Sequence, residues 1–260
     1  MAPEKPAHTL DAFHRGDFWL VQPKGAGHRA GVDAMMLAAA VPSSFSGRLA
    51  DFGAGAGAAG LAVASRCSRA TVVLVENAAE MARYASLTLE HQRNAHLAGR
   101  ASVIVADVTL TGRAREKAGL ADGAFDFVIM NPPFNAAKDR ATPDVLKQKA
   151  HVMEDGLFEA WIRSAAAVTK PRGGALAIIA RPVSLSAILA ALAGRFGSAE
   201  IVPVHARADT PAIRIVVRAK RSSRGALVLR PPLTLHGGPG DGFSVRADAI
   251  NNGKAALFGD

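Results

Sequence analysis

Four short runs constrain this chain more than anything else in it: "ATVVLVE" at 70–76, "SVIVAD" at 102–107, "FDFVIM" at 125–130 and "GALAIIA" at 174–180. Each is apolar almost throughout, without the in–out alternation of a half-exposed strand. A strand apolar on both faces has to be covered on both faces, as in a parallel sheet with helices on either side. The intervening chain reads as helical over 78–94, 157–168 and 184–196, with a further helix running from a glycine loop to residue 66. Strands alternating with helices predict an α/β, doubly wound and mostly parallel sheet. Residues 48–52 supply its first strand, and "EIVPVH" and "IRIVVRAK" its last two. The loop "ARADTPA" between those two suits a hairpin, which makes seven strands closing in a C-terminal antiparallel pair. With no internal repeat and no low-complexity linker, 1–260 is expected to be one domain. It comprises a lead-in (1–45, with "GVDAMMLAAAV" as a short helix), a core (46–221) and a tail (222–260) too rich in Pro and Gly for more than a short strand.

A hydrophobic fraction of 49% over 260 residues is enough for a sizeable core. The single cysteine, Cys67, excludes an internal disulfide framework and any cysteine-based zinc cluster. None of the eight histidines shows metal-ligand spacing. The first twenty residues lack the apolar region of a signal peptide, and "AMMLAAAVP" is too short to cross a bilayer, so a soluble, cytoplasmic protein is expected.

"LADFGAGAG" puts Gly53, Gly55 and Gly57 directly after the first core strand. Glycine belongs where a backbone must turn sharply and admit a ligand without a Cβ in the way. Three acids keep it company. Glu76 ends the second strand, where a ribose diol would find an acceptor. Asp107 ends the third, where an adenine amine would. Asp51 precedes the glycines, where it can order the loop or meet an ammonium. A pyrophosphate cofactor calls for G-x-G-x-x-G, but Ala58 stands at the third glycine position. That favours a nucleoside cofactor without phosphate, namely S-adenosylmethionine.

The fourth strand runs into "NPPF", residues Asn131, Pro132, Pro133 and Phe134. Proline fixes φ, removes a donor and stiffens the residue before it. The turn therefore offers acceptors, the Asn131 side-chain oxygen and the Pro132 carbonyl, and two acceptors match the two hydrogens of a planar NH2. Phe134 adds a face for a flat ring, a contact worth about 1–3 kcal/mol per base. Acceptors set out of the ring plane let the nitrogen pyramidalise and present its lone pair to an electrophilic methyl, with no metal and no carboxylate base.

Together "DFGAGAG", Glu76, "AD" at 106–107 and "NPPF" resemble the class I S-adenosylmethionine-dependent methyltransferases with an Asn-Pro-Pro-aromatic motif, over roughly residues 20–235. The lead-in "LVQPKGAGHRAGVDAMMLAAAV" and the closing "LVLRPPLTLH" are similar to the bacterial tRNA(Val) adenine-N(6) methyltransferase family. The resemblance implies that Gly53, Gly55 and Gly57 meet the cofactor's methionine end, Glu76 its ribose and Asp107 its adenine amine. It implies that residues 131–134 hold the target base, and that Gln22, Arg29 and Asp33 close over the cofactor. Phe134 departs from the family, where tyrosine is frequent, and "GAGAGAAG" is unusually small after the third glycine.

The net charge is +9, and residues 207–230 alone hold seven Lys or Arg against one acid, Asp209, which is +6 of it. Such a concentration suits a phosphate backbone. Arg214, Arg218 and Lys220 share one face of a strand by period two, and Lys138, Arg140, Lys147 and Lys149 follow the NPPF turn. The expected partner is thus RNA, a tRNA loop in particular, because a base is cheapest to extrude from a single strand. Three alternatives are a protein glutamine methyltransferase, a small-molecule O-methyltransferase and a non-enzymatic RNA-binding module. The first normally carries an N-terminal recognition domain, for which about 50 residues leave little room. The second needs a base or metal for its hydroxyl, and the third leaves the cofactor acids unexplained.

Overall fold

The computed structural model describes residues 8–24, 30–133, 144–238 and 240–260. Two strands, β1 (His8–Phe13) and β2 (Phe18–Pro23), form an antiparallel hairpin, and α1 (Val32–Ala38) follows. Then come β3 (Gly47–Phe52), α2 (Ala58–Arg66), β4 (Ala70–Glu76), α3 (Ala79–Glu90), β5 (Ala101–Val105), α4 (Gly112–Lys117) and β6 (Phe127–Met130). After α5 (Asp144–Val168) lie β7 (Ala175–Ala180), α6 (Leu185–Leu192), β8 (Phe196–His205) and β9 (Ala212–Arg221). Two short strands, β10 (Val228–Leu229) and β11 (Leu233–Thr234), precede α7 (Val245–Asn251).

The sheet order is β10-β8-β9-β7-β6-β3-β4-β5, with β11 also against β8. Strands β3 to β7 are mutually parallel, while β9 runs antiparallel to both β7 and β8. The seven expected strands are β3 to β9, and the hairpin is where the "ARADTPA" loop places it. From β3 the chain winds outward through β4 and β5, then returns to the other side of β3 at β6. The carboxyl ends of β3 and β6 thus flank the switch point at which open α/β sheets bind ligands.

Buried side chains fall into two sets, one on each face of the sheet. Leu49, Leu74, Ile129, Val202 and Val216 pack toward α1, α2 and α7, and Phe52, Val75, Met130, Ile178 and Val217 toward α5 and α6. This two-sided burial is why the strand runs are apolar at successive positions.

Three parts of the chain are more ordered than the sequence suggests. The lead-in holds the β1–β2 hairpin, whose turn puts His14, Arg15 and Gly16 all at positive φ, a turn that sequence signals do not mark. Helix α5 begins at Asp144, well before residue 157. The tail adds β10 and β11 to the sheet edge and then forms α7, which Ser244 caps by accepting from the Ala247 N–H. Among the described residues no helix is long and apolar enough to cross a membrane.

Candidate active site

The glycine turn leaves β3 at Phe52. The N–H groups of Gly53 and Ala54 both donate to the Val75 carbonyl, at 2.9 and 3.0 Å, which holds the turn against the end of β4. Gly53, Gly55 and Gly57 all have positive φ, at +69°, +56° and +96°. At Gly53 a second constraint is added: a Cβ there would lie 2.7 Å from the indole of Trp161 on α5. Trp161 is 7% exposed and forms the wall behind the turn. At Gly55 a Cβ would meet nothing nearer than a Met81 methyl at 3.8 Å, so the turn is open there on the side where a ligand would enter.

The turn hands over to α2 at Gly57, an N-cap with no side chain to satisfy the helix's first N–H groups. Asp51 supplies the missing acceptor from β3: the Gly60 N–H donates to its Oδ2 at 2.8 Å. Asp51 is 2% exposed. Burial, which the Gly60 hydrogen bond opposes and the nearby Glu76 charge reinforces, pushes its carboxyl up to about 7. Of the two readings the sequence leaves open for Asp51, the structure displays the ordering of the loop.

Glu76, at the end of β4, accepts from the Gly55 N–H at 2.8 Å through Oε2 and from the Ala78 N–H at 2.9 Å through Oε1. It is buried at the floor of the crevice, with further lone pairs on both oxygens. Asp107 is exposed just past β5, and its Oδ1 accepts from the backbone N–H and hydroxyl of Thr109, both at 2.7 Å. Three carboxylates thus line the carboxyl edge over β3, β4 and β5. Such an edge suits a ligand carrying positive charge and a donor-rich nucleoside better than it suits a pyrophosphate.

Asn131 leaves β6 on the other side of the switch point. Its Oδ1 is buried and accepts no hydrogen bond from the described residues, a costly arrangement unless a donor comes from outside them. Pro132 and Pro133 follow directly. The structure therefore brings Asp51, the three glycines, Glu76 and Asn131 to one crevice, with Asp107 on its rim. Phe134, Arg29, Lys138 and Arg140 lie outside the described residues, and Lys147 and Lys149 fall within the first turns of α5. Among the described residues no cluster of His, Cys, Asp or Glu is placed to hold a metal ion.

The lead-in joins this edge by two ties. The Ala30 N–H donates to Gln22 Oε1 at 2.8 Å, while Gln22 Nε2 donates to Asp11 at 2.7 Å. Asp33 at the start of α1 accepts from Arg214 Nε at 2.8 Å.

The grouping of Arg214, Arg218 and Lys220 is corrected. They do share a face, but a strand runs from one edge of the sheet to the other, and because β9 is antiparallel to β7 its first residues lie at the crevice edge. Arg214 sits at the crevice edge, paired with Asp33. Lys220 lies six residues on, ~20 Å away at ~3.3 Å per residue, at the opposite edge. Arg218, between them, is 8% exposed and bound to Glu200 and Asp260 at 2.8 Å each. It holds the fold together and is not a surface for phosphate. Trp161 was not legible as part of the site, since nothing local in α5 signals that its ring closes on a glycine far upstream.

The model of the methyltransferase small domain matches residues 20–206. The chain belongs to this family. A crystal structure of a predicted O-methyltransferase from Agrobacterium tumefaciens is 43% identical, with a TM-score of 0.75, over 86% of this chain and 98% of that one. The TYW2 protein of M. jannaschii, solved with AdoMet, is similar in fold alone: 12% identity and a TM-score of 0.54 over 85% of this chain and 90% of that one. No curated protein matches the sequence. Methyltransferase small domain proteins are S-adenosylmethionine-dependent enzymes, and this chain is one of them, with the Rossmann-like sheet of its neighbours and S-adenosylmethionine as its cofactor. The acid-lined crevice fits that cofactor, which carries a sulfonium, an ammonium and a nucleoside and has no phosphate.

Proposed function

We propose that the enzyme methylates an exocyclic amine of an RNA base, adenine N(6) in a tRNA. The observation that carries this reading is the orphaned Asn131 Oδ1 on a double-proline turn at the switch point. A buried acceptor with no partner among the described residues is what an N–H of the acceptor amine would satisfy.

In this reading Gly53, Gly55 and Gly57 accommodate the cofactor's methionine end, Glu76 its ribose and Asp107 its adenine. When bound, S-adenosylmethionine supplies an electrophilic methyl group on a positively charged sulfur. Asn131 Oδ1 and the Pro132 carbonyl accept the two N–H hydrogens of the target amine, and Phe134 provides the stacking face. Held so, the nitrogen lone pair leaves conjugation and points at the methyl. The new N–C bond forms as the C–S bond breaks, and the surplus proton on nitrogen passes to solvent. No side chain has to take a proton beforehand, so the carboxylates remain free to serve the cofactor.

The Agrobacterium relative's name points to oxygen instead. A hydroxyl acceptor requires a base near it, whereas Asp51 and Glu76 are taken up by N–H groups of the glycine turn and of the residues that follow it. The nitrogen reading uses every group of the NPP turn and needs no base. RNA as partner is supported by the cations that folding leaves exposed at the far end of β9, Lys220 and Arg224.

The test is incubation of total RNA from a deletion strain with enzyme and labelled donor, followed by nucleoside analysis. Label in N(6)-methyladenosine of the tRNA fraction supports the reading. No label in RNA, or label only on a ribose oxygen or a ring atom of a nucleoside, overturns it.

A further inference from the structure

We infer that the edge of the sheet opposite the cofactor crevice carries a second RNA contact, a groove that receives the phosphate backbone of a folded RNA away from the target base. The inference rests on the RNA reading above and adds where the RNA is held.

A groove of about 620 Å³ opens at the amino ends of β6, β7 and β8 and the far end of β9. Its walls include Gly173 and Gly174 before β7, Ser198 on β8 and Ser223 in the turn after β9. Lys220 lines it and is exposed, Arg172 is exposed beside Gly173, and Arg224 is exposed beside Ser223.

The charge balance along this edge is what selects the ligand. Its carboxylates are already engaged. Asp126 takes Lys170 at 2.6 Å and the Arg48 N–H at 2.9 Å, Glu200 takes Arg218 and Arg230, and Asp260 takes Arg218. Arg172, Lys220 and Arg224 have no carboxylate within ion-pair reach among the described residues. A concave surface with hydroxyls and glycine backbone, one uncommitted cation in its wall and two on residues adjoining that wall in sequence, is complementary to a run of phosphates.

Among the described residues the crevice edge over β4 and β5 has the opposite sign, set by Glu76 and Asp107. A polyanion is therefore not drawn in over the cofactor. It is anchored across the β7–β9–β8 half, ~20 Å along β9 from Arg214. A trinucleotide, ~10 Å long at ~3.4 Å per nucleotide, cannot reach both edges, so the groove adds affinity for a long RNA and none for a trinucleotide.

The test uses full-length enzyme and the triple variant Arg172→Glu, Lys220→Glu, Arg224→Glu. Binding of a bulk tRNA preparation and of a single-stranded RNA trinucleotide is followed by fluorescence anisotropy over a salt series. Cofactor binding and Tm serve as controls of folding. The expected result is a loss of tRNA affinity of roughly tenfold or more and a fall in the salt slope of about 3, with the short RNA bound as before. Equal tRNA affinity in variant and wild type overturns the groove while leaving the RNA reading intact. Equal losses for tRNA and short RNA also overturn it, since the cations would then act at the crevice. Wild-type enzyme that binds neither RNA, or that binds poly-glutamate and not tRNA, marks failure of the RNA reading itself, and the groove falls with it.

Discussion

Asn131 and Asp51 sit on neighbouring strands, and each is buried in a state that would be costly in an ordinary core. Asn131 Oδ1 is desolvated with no donor among the described residues, so in the proposed reading its role is exerted when an amine arrives and not before. Asn131→Ala should lower methyl transfer by about 100-fold or more and leave calorimetric affinity for S-adenosylmethionine unchanged. Retained turnover would remove the amine-holding role. Asp51 carries a different consequence. Its folded pKa, about 7, lies above the ordinary 3.8, so between about pH 4 and 7 the folded state binds more protons than the unfolded one. Stability from this group is present below about pH 4 and is lost as pH rises toward 7. Asp51→Asn keeps an acceptor for the Gly60 N–H and removes the titration. Its Tm relative to wild type should rise from pH 5 to pH 8, and a constant difference across that range would show that the carboxyl titrates normally. The residues that sequence spacing picked out, Gly53, Glu76 and Asn131, were legible because strand ends set their positions. Trp161 was not, because only three-dimensional packing brings α5 over the glycine turn.

Packing between α2 and β4 shows how an element can depend on one missing atom. At Gly60 a Cβ would lie 2.4 Å from Leu74 Cδ2, 2.9 Å from Val72 Cγ1 and 3.1 Å from the Asp51 oxygen that caps the helix. Alanine would gain up to about 1 kcal/mol of helix propensity, yet forcing a methyl into this contact costs about 1–3 kcal/mol and pushes Asp51 off its N–H. The second effect is the larger. Gly60→Ala should lower unfolding free energy by about 1–2 kcal/mol in a urea titration and also weaken cofactor binding, since the turn and the helix move together. A neutral or stabilising outcome would mean that Leu74 yields easily. The strands from β3 to β9 were readable from their apolar runs, and the β8–β9 hairpin from its loop. The β1–β2 hairpin was not, since its turn forces His14 and Arg15 into left-handed geometry that their side chains give no reason to expect. Helix α7 had a signal in Ser244, the N-cap of "SVRADAI", but the Pro- and Gly-rich chain before it masked the change.

Across the whole molecule the decisive fact is where the positive charge ends up. A linear count makes residues 207–230 one basic stripe. Folding divides it, because a strand crosses the sheet from edge to edge and because period two places Arg218 under the C-terminal segment. Arg218 ties three other parts of the chain to β9: Glu200 on β8, the Ala40 carbonyl after α1 at 3.4 Å, and the C-terminal segment through Asp260 at 2.8 Å and the Phe258 ring, 4.2 Å from its guanidinium. Burial works against the Glu200 carboxylate, but hydrogen bonds and charge from Arg218 and Arg230 more than offset it and hold that group below the usual range. Arg218→Met keeps the apolar length and removes the charge, which leaves Glu200 with Arg230 alone and frees Asp260. Losing one partner of a largely buried pair costs about 3 kcal/mol or more when nothing replaces it. Because Arg230 remains and Asp260 is half-exposed, a loss of about 2–3 kcal/mol is expected. It should appear as a lower urea midpoint, with tRNA affinity of the still-folded variant unchanged at low temperature. Lys220→Glu should do the reverse, sparing the midpoint and weakening tRNA binding. If instead Arg218→Met kept its midpoint and lost RNA, the guanidinium would belong to the nucleic-acid surface, and the C-terminal segment would have to lift away from β9 for RNA to reach it.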